Sequence, residues 1–160
     1  MRTFLLIIFA IFQLQNSYEL QTIYFNIALP DKPNYRTQSV NLGSEALSLH
    51  LYILEQGASY YIVSHTYYPL SIDLSNPDKF FKGVINGMVS NYQGSLVFER
   101  ALKTNNAIGK KVRVKLPDGD FVEVDYYLKG RTLYQVLIKA NVKDIQSSQI
   151  QNCFDSFTLY

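Results

Sequence analysis

Cysteine, tryptophan and charge are scarce in this sequence. It has a single cysteine, Cys153, and no tryptophan. One thiol cannot form a disulfide within the chain, so the stability of the fold must come from packing. Charged residues make up 18% of the chain, and the formal net charge is +2. No run of basic residues is longer than the pair Lys110 and Lys111. This charge distribution predicts no nucleic-acid partner.

The first 17 residues have the order of a secretory signal. Arg2 precedes nine consecutive apolar residues at 4–12, and mostly polar residues follow up to Ser17. A charged start, a short apolar core and a polar end are typical of signal peptides. The apolar run is shorter than the roughly 20 residues that cross a bilayer, so no permanent membrane span is predicted. We expect an exported protein, periplasmic or extracellular, with a signal peptide at 1–17 and one domain at 18–160.

Strand-forming residues are abundant in the predicted domain. The chain has 13 tyrosines and 10 phenylalanines, and aromatic residues favour strands. Apolar residues at alternate positions from Leu47 to Ile53 predict a strand with one buried face. A turn at Gln56 and Gly57 then predicts a hairpin with residues 59–68. Further strands are predicted at 22–29, 35–42, 96–102, 110–116, 121–128 and 132–140.

One long helix is predicted to follow the hairpin. Asn76 has the side chain of a helix cap, and Pro77 suits the first turn. An apolar stripe at helical spacing comes next: Phe80, Phe81, Val84, Ile85, Met88 and Val89. We expect Gly83 and Gly87 to allow a close approach of this helix to the sheet, and Gly94 to end it.

The elements together predict an α+β fold. Ser147 and Ser148 begin a short C-terminal helix, and Cys153 lies on its apolar face with Phe154. That position predicts a buried, unreactive thiol and no cysteine nucleophile. Most connections are short, which favours antiparallel pairing. We therefore expect an antiparallel sheet of about seven strands, with the long helix and the short C-terminal helix packed on it.

Four segments give the chain a resemblance to a known group. They are residues 25–33 (FNIALPDKP), the helix at 80–92, residues 126–135 (YYLKGRTLYQ) and residues 153–159 (CFDSFTL). In these the chain resembles the PsbP-like group, whose α/β/α sandwich is shared with a yeast Ran-binding protein, and within it a set of small exported bacterial proteins. The resemblance implies the fold. Its motifs are structural, so the role of the photosynthetic members at the oxygen-evolving complex is not transferred.

Two histidines fall on the predicted hairpin. A two-residue turn at Gln56 and Gly57 places His50 opposite Val63, with His65 as its diagonal neighbour. A turn shifted by one residue places His50 directly opposite His65. Side chains related in either way lie roughly 4.5–8 Å apart. Such a pair suits part of a zinc or copper site or a pH-sensitive contact, but no third ligand follows from the spacing, so neither a metal nor any other cofactor is predicted.

Tyrosines and carboxylates are the other candidates. Tyr61, Tyr67 and Tyr127 join the two histidines as predicted binding residues, because exposed tyrosines offer rigid contact area with a polar tip. Glu123 and Asp125 share one strand face, where we expect solvated side chains. A glycosidase-like pair or a calcium site is the alternative for these carboxylates.

Three functions remain open at this stage. The preferred one is an exported, non-catalytic binding or accessory module that contacts an unknown protein or small ligand through a face of its sheet. The alternative is a small hydrolase or metal-dependent enzyme that uses His50, His65 and the face of Glu123 and Asp125. A third is a carrier of a lipid or small ligand, with a cavity between the sheet and the long helix.

Overall fold

The computed structural model describes residues 17–43, 45–104 and 106–160. The predicted signal peptide therefore lies almost wholly outside the described residues. In chain order the elements are β1 (Tyr18–Gln21), β2 (Phe25–Leu29), β3 (Asn34–Leu42), β4 (Glu45–Gln56), β5 (Ser59–Tyr67), α1 (Pro77–Asn91), β6 (Ser95–Leu102), β7 (Ile108–Lys115), β8 (Phe121–Lys129), β9 (Thr132–Ala140), a 3-10 turn (Asp144–Gln146), α2 (Ser148–Ser156) and β10 (Thr158–Leu159).

A seven-stranded sheet forms the middle of the molecule. Its strands lie in the order β3-β4-β5-β9-β8-β7-β6, and all neighbours are antiparallel. The β8–β9 hairpin turns at Gly130, where a φ of 57° requires the conformation that glycine adopts most easily. The predicted α+β class and the antiparallel seven-stranded sheet are confirmed.

Helix α1 covers one face of this sheet. The side chain of Asn76 accepts a hydrogen bond from the Lys79 N–H at 3.0 Å, which caps the helix as the sequence predicts. Three residues of the apolar stripe are buried, and they pack with valines and leucines of the central strands. They are Phe81, Ile85 and Met88.

The glycines of α1 have a different role from the expected one. Gly83 and Gly87 are exposed, and an added Cβ at either would meet nothing within 4 Å, so they do not bring the helix to the sheet. The close approach is at Gly94, where a Cβ would lie 2.8 Å from the Lys115 carbonyl oxygen. The left-handed residue that ends the helix is Gln93, with a φ of 50°. The prediction that Gly94 ends the helix was therefore wrong by one residue.

The opposite face of the large sheet is covered by α2 and by a small sheet. The small sheet has the order β1-β2-β10, and the inward side chains of β2 are fully buried. The hydroxyl of Ser147 caps α2 by accepting the Ile150 N–H. Cys153 is buried on the inner side of α2, and burial raises the pKa of its thiol to about 12, as suits an unreactive side chain. The resulting layers are helix, sheet, then helix with small sheet.

No helix in the described ranges is both long and apolar enough to cross a membrane.

Candidate functional site

The β4–β5 hairpin places the two histidines directly opposite each other. Gln56 pairs with Ser59, so the loop residues are Gly57 and Ala58, and His50 pairs with His65. The favoured prediction, which set His50 opposite Val63, was wrong, and the shifted turn is correct. The reason is local, because Gly57 takes a φ of 59°, which suits the first position of a tight hairpin loop.

The imidazole rings of His50 and His65 are stacked. Their centroids are 4.5 Å apart and their planes differ by 4°. The hydroxyl of Tyr35, on the edge strand β3, lies 2.7 Å from His50 Nδ1 and fixes the orientation of that ring. On the other side, the ring of Tyr24 lies 5.2 Å from the His65 ring. The two histidines therefore lie between Tyr35 on one side and Tyr24 on the other.

Tyr24 is held by the turn that precedes β2. The Thr22 hydroxyl accepts hydrogen bonds from the N–H groups of Tyr24 at 3.1 Å and Phe25 at 3.0 Å. The C-terminal residue Tyr160 also donates its N–H to the Tyr24 carbonyl at 3.0 Å. Tyr24 is 46% exposed. Sequence reasoning placed Tyr24 inside a strand and missed it, because only the tertiary fold brings this turn beside β5.

Burial keeps His65 neutral. Burial, and as a second cause the neighbouring His50, lower the pKa of His65 from its ordinary 6.5 to about 4. His65 Nδ1 is buried and has no hydrogen-bond partner among the residues that the structure describes. If Nδ1 were protonated, the ring would carry a positive charge and this buried N–H would have no acceptor among the described residues.

The histidine pair lines an open groove of about 500 Å³. We call this the His–Tyr groove. Tyr67, which is 59% exposed, lies at one side and Tyr24 at another. The described residues that line it are Tyr24, Glu45, Ala46, Leu47, Ser48, His50, His65, Tyr67, Pro69 and Thr132. Among the described lining residues Glu45 alone has a carboxylate, so the groove has little acidic character.

The structure brings together three of the five predicted binding residues. His50, His65 and Tyr67 line the groove. Tyr61 is 3% exposed in the core, and burial raises its pKa to about 12, so it cannot contact a ligand at the surface. Tyr127 is half-buried against Phe157, with ring centroids 4.9 Å apart. Its hydroxyl donates to Asp125 Oδ2 at 3.3 Å.

Glu123 and Asp125 form part of a buried ionic cluster. Lys111 Nζ lies 2.9 Å from Glu123 Oε1 and 2.9 Å from Asp125 Oδ1. Arg113 Nε donates to Glu123 Oε2 at 2.7 Å. The same Lys111 ammonium lies 3.8 Å from the centroid of the Phe154 ring, on α2. Glu123, Asp125 and Lys111 are 1%, 3% and 5% exposed.

The prediction of a solvated carboxylate face was therefore wrong. The alternation of side chains along β8 shows which residues share a face, but it does not show that α2, a later element of the chain, covers that face. Burial is the main cause that raises the pKa of Asp125, and the Lys111 charge opposes it. The cluster balances two basic against two acidic side chains, so the buried charges are paired.

The histidines and the carboxylates do not converge. Strand β9 lies between β5, which carries His65, and β8, which carries Asp125. His65 pairs with Tyr134 of β9, and Asp125 pairs with Val136 of β9. Two strand spacings of about 4.8 Å, together with an offset of two residues, put their backbones roughly 10 Å or more apart. On the same face of the sheet, the buried ring of Phe25 lies 6.2 Å from the His65 ring and 5.5 Å from the Phe157 ring. Within the described ranges, no group of three His, Cys, Asp or Glu side chains is placed to hold a metal ion.

Two imidazoles alone predict weak metal binding. Structural zinc has four protein ligands and catalytic zinc usually three. We expect zinc or copper to bind the purified protein more weakly than about 1 μM, roughly 8 kcal/mol, as measured by calorimetric titration. Stoichiometric binding tighter than this, lost in both His50→Ala and His65→Ala, would contradict the expectation and favour a metal-dependent function.

His65 also predicts a pH dependence of stability. Its ordinary pKa of 6.5 falls to about 4 in the folded protein, so between these values the unfolded chain binds the extra proton. The free energy of unfolding should then fall as the pH decreases from about 6.5 to about 4. Allowing for solvent screening of this half-buried ring, the loss is on the order of 1–2 kcal/mol. Urea unfolding of wild type and His65→Gln across this range should show a smaller pH slope in the variant; equal slopes would contradict it.

A second groove lies where α1 meets the end of the large sheet. It has a volume of about 450 Å³. Val40, Leu42 and Leu47 of the sheet face Phe80 and Val84 of the helix across it. This is the region in which the carrier hypothesis placed a cavity.

Comparison with known proteins identifies the fold. No family model and no curated protein matches the chain in sequence. The solution structure of cyanobacterial PsbP (CyanoP) from Synechocystis sp. PCC 6803 superposes with a TM-score of 0.64 at 10% identity, over 91% of this chain and 94% of that chain. At this identity the likeness carries the fold and no function. The chain therefore has the PsbP-like α+β fold that its sequence resembles.

Proposed function

We propose that this protein is a non-catalytic binding or accessory module that contacts its ligand through the His–Tyr groove. The observation that carries the proposal is the stacked pair of His50 and His65, which lines an open groove beside the exposed ring of Tyr67. The groove volume of about 500 Å³ lies in the range of small-ligand sites.

The chemistry of the groove favours a neutral ligand with a flat or ring-shaped part. Tyr24 and Tyr67 offer exposed aromatic faces with hydroxyl tips. The Tyr24 ring packs against His65 and the Tyr35 hydroxyl fixes His50, so these two side chains lose little freedom on binding. A sugar unit of a saccharide and an aromatic side chain of a partner protein both fit this description.

Ring-resolved NMR tests this proposal. The purified protein is titrated with soluble oligosaccharides and with short tyrosine-containing peptides, and the signals of histidine and tyrosine rings are followed. We expect a binding member of these panels to shift the rings of His50, His65 and Tyr67. Tyr67→Ala should weaken that binding at least tenfold.

Tyr18→Ala is the matched control. Tyr18 is also an exposed tyrosine, 36% accessible on β1, and it does not line the groove. Its replacement should leave the affinity unchanged. Ligand shifts centred on other rings, or equal affinities of the Tyr67→Ala and wild-type proteins, would contradict the groove as the binding site.

The groove beside α1 supports a second candidate function, the carriage of a small apolar ligand. Its lining is mainly apolar, and Asp73, Asn76 and Lys79 are its most polar members. Calorimetry with dodecanoate distinguishes the two functions. Binding that is lost in Val84→Glu and retained in Tyr67→Ala would favour the carrier.

Export is proposed on the N-terminal pattern of charge and hydrophobicity. When the chain is expressed with its own leader, we expect the product outside the cytoplasm, with the residues before about Tyr18 removed. Intact-mass measurement checks this, and a mature product that retains Met1 to Ser17 would contradict it.

A further inference from the structure

The two edges of the seven-stranded sheet differ in how they are protected. At one edge, β6 has a register break between Leu96 and Phe98, where the strand bulges. Its middle carries Glu99 and Arg100, and Glu99 forms an ion pair with Lys110 at 3.0 Å. Bulges and charged side chains are the devices by which natural sheets prevent edge-to-edge pairing.

The other edge, β3, has no bulge and only one charged side chain. All nine of its residues are exposed, and it pairs with β4 without a register break. Arg36 is its one charged residue, and it contains no proline or lysine. In the described ranges its outer side has no partner strand, so a straight row of backbone N–H and C=O groups faces outwards. Such an edge is a template for another strand.

We propose that β3 pairs antiparallel with β3 of a second copy of this chain, joining the two large sheets across a two-fold axis. Full overlap of the nine residues requires the register in which Gln38 faces Gln38 of the partner subunit. In this antiparallel register each side chain lies on the same face of the sheet as the residue opposite it on the partner strand.

The side chains of β3 are compatible with this symmetric pairing. In the centred register the only charged side chain, Arg36, faces Val40 of the partner subunit, so like charges never meet. Its aliphatic stem then covers Val40, which is 39% exposed in the single chain. On the other face Tyr35 meets Asn41 of the partner subunit, and their polar groups remain at the surface.

The expected contact is large enough to be specific. A nine-residue antiparallel ladder makes about eight to ten backbone hydrogen bonds, which is close to the number in a typical protein interface, about ten. A two-fold interface uses the same surface twice, so the chain needs no second complementary patch. The bulged edge β6 cannot offer an uninterrupted ladder of this kind.

Charge substitution at the two-fold axis tests the proposal. Analytical ultracentrifugation of the purified protein at 1–100 μM should show a dimer. Gln38→Lys and Gln38→Glu each place two like charges face to face and should each weaken dimerisation at least tenfold. An equimolar mixture of the two variants should restore the dimer, because Lys then faces Glu.

Ala101→Lys is the control, since Ala101 is exposed on the other edge strand, β6. It should leave the dimer intact. A wild-type protein that is monomeric at 100 μM would overturn the proposal, and so would a dimer that neither Gln38 variant weakens. A protein that stays monomeric and pairs β3 with an extended peptide of another protein would overturn it equally.

Hydrogen exchange of the wild-type protein supplies a test that needs no variant. The outward N–H groups of β3 should exchange more slowly at 100 μM than at 1 μM, while those of β6 should not change. Equal exchange of β3 at the two concentrations would contradict the pairing.

Discussion

Replacing Lys111 with methionine is expected to destabilise the folded protein by about 3–5 kcal/mol. The Lys111 ammonium lies 2.9 Å from carboxylate oxygens of both Glu123 and Asp125, and all three side chains are almost fully buried. Methionine fills a similar volume but leaves Asp125 without a cation, in an environment that already raises the pKa of its carboxyl group. Urea denaturation at pH 7 measures the loss.

Lys110→Met is the matched control. Lys110 is the preceding residue, but its partners Asp78 and Glu99 have side chains 85% and 36% exposed, and exposed ion pairs contribute about 0–1 kcal/mol. The Lys111→Met loss should also shrink at lower pH, as Asp125 takes up a proton. A loss below about 1 kcal/mol at pH 7 would show that the buried cluster contributes little to stability.

Replacing Ile85 with alanine is expected to cost about 2–5 kcal/mol, from the lost transfer free energy and the cavity left behind. Ile85 is 2% exposed on the face of α1 that packs on the sheet. The same change at Ile23, which is 82% exposed, should alter the free energy of unfolding by no more than about 0.5 kcal/mol. Thermal and urea unfolding of both variants provide the comparison, and equal effects would contradict the packing described for α1.

Local patterns predicted much of the fold. Alternation from Leu47 to Ile53 and the glycine of the following turn predict the β4–β5 hairpin, because period-two burial and turn chemistry are short-range properties. The stripe that includes Phe81, Ile85 and Met88 predicts the buried face of α1 for the same reason. The order of these segments also carried the resemblance to the PsbP-like fold.

The candidate site was harder to predict. A shift of the hairpin turn by one residue decides whether His50 faces Val63 or His65, and residue pattern alone permits both. The burial of Tyr61 and Asp125 depends on α2, which lies far along the chain. The small sheet was missed because its strands β1 and β10 have four and two residues, too short for a periodic signal.

The proposed groove and the proposed interface meet at Tyr35. This residue belongs to the edge strand β3, and its hydroxyl contacts His50 Nδ1 at 2.7 Å. Pairing of β3 with a second copy would therefore restrict the side chain that orients the histidine pair. Ligand affinity and dimerisation can still be measured separately, because the Gln38 variants leave the groove lining unchanged.

Site-specific photo-crosslinking tests the central claim most directly. A benzophenone amino acid replaces Tyr67 in the groove, or Tyr18 outside it, and the full chain is produced in the cells from which the sequence comes. Both tyrosines are exposed, so the two probes have comparable access to solvent. Binding through the His–Tyr groove predicts a discrete crosslinked species from position 67, absent from position 18 and competed away by unlabelled protein. Identical crosslinking from the two positions, or none from position 67, would contradict it.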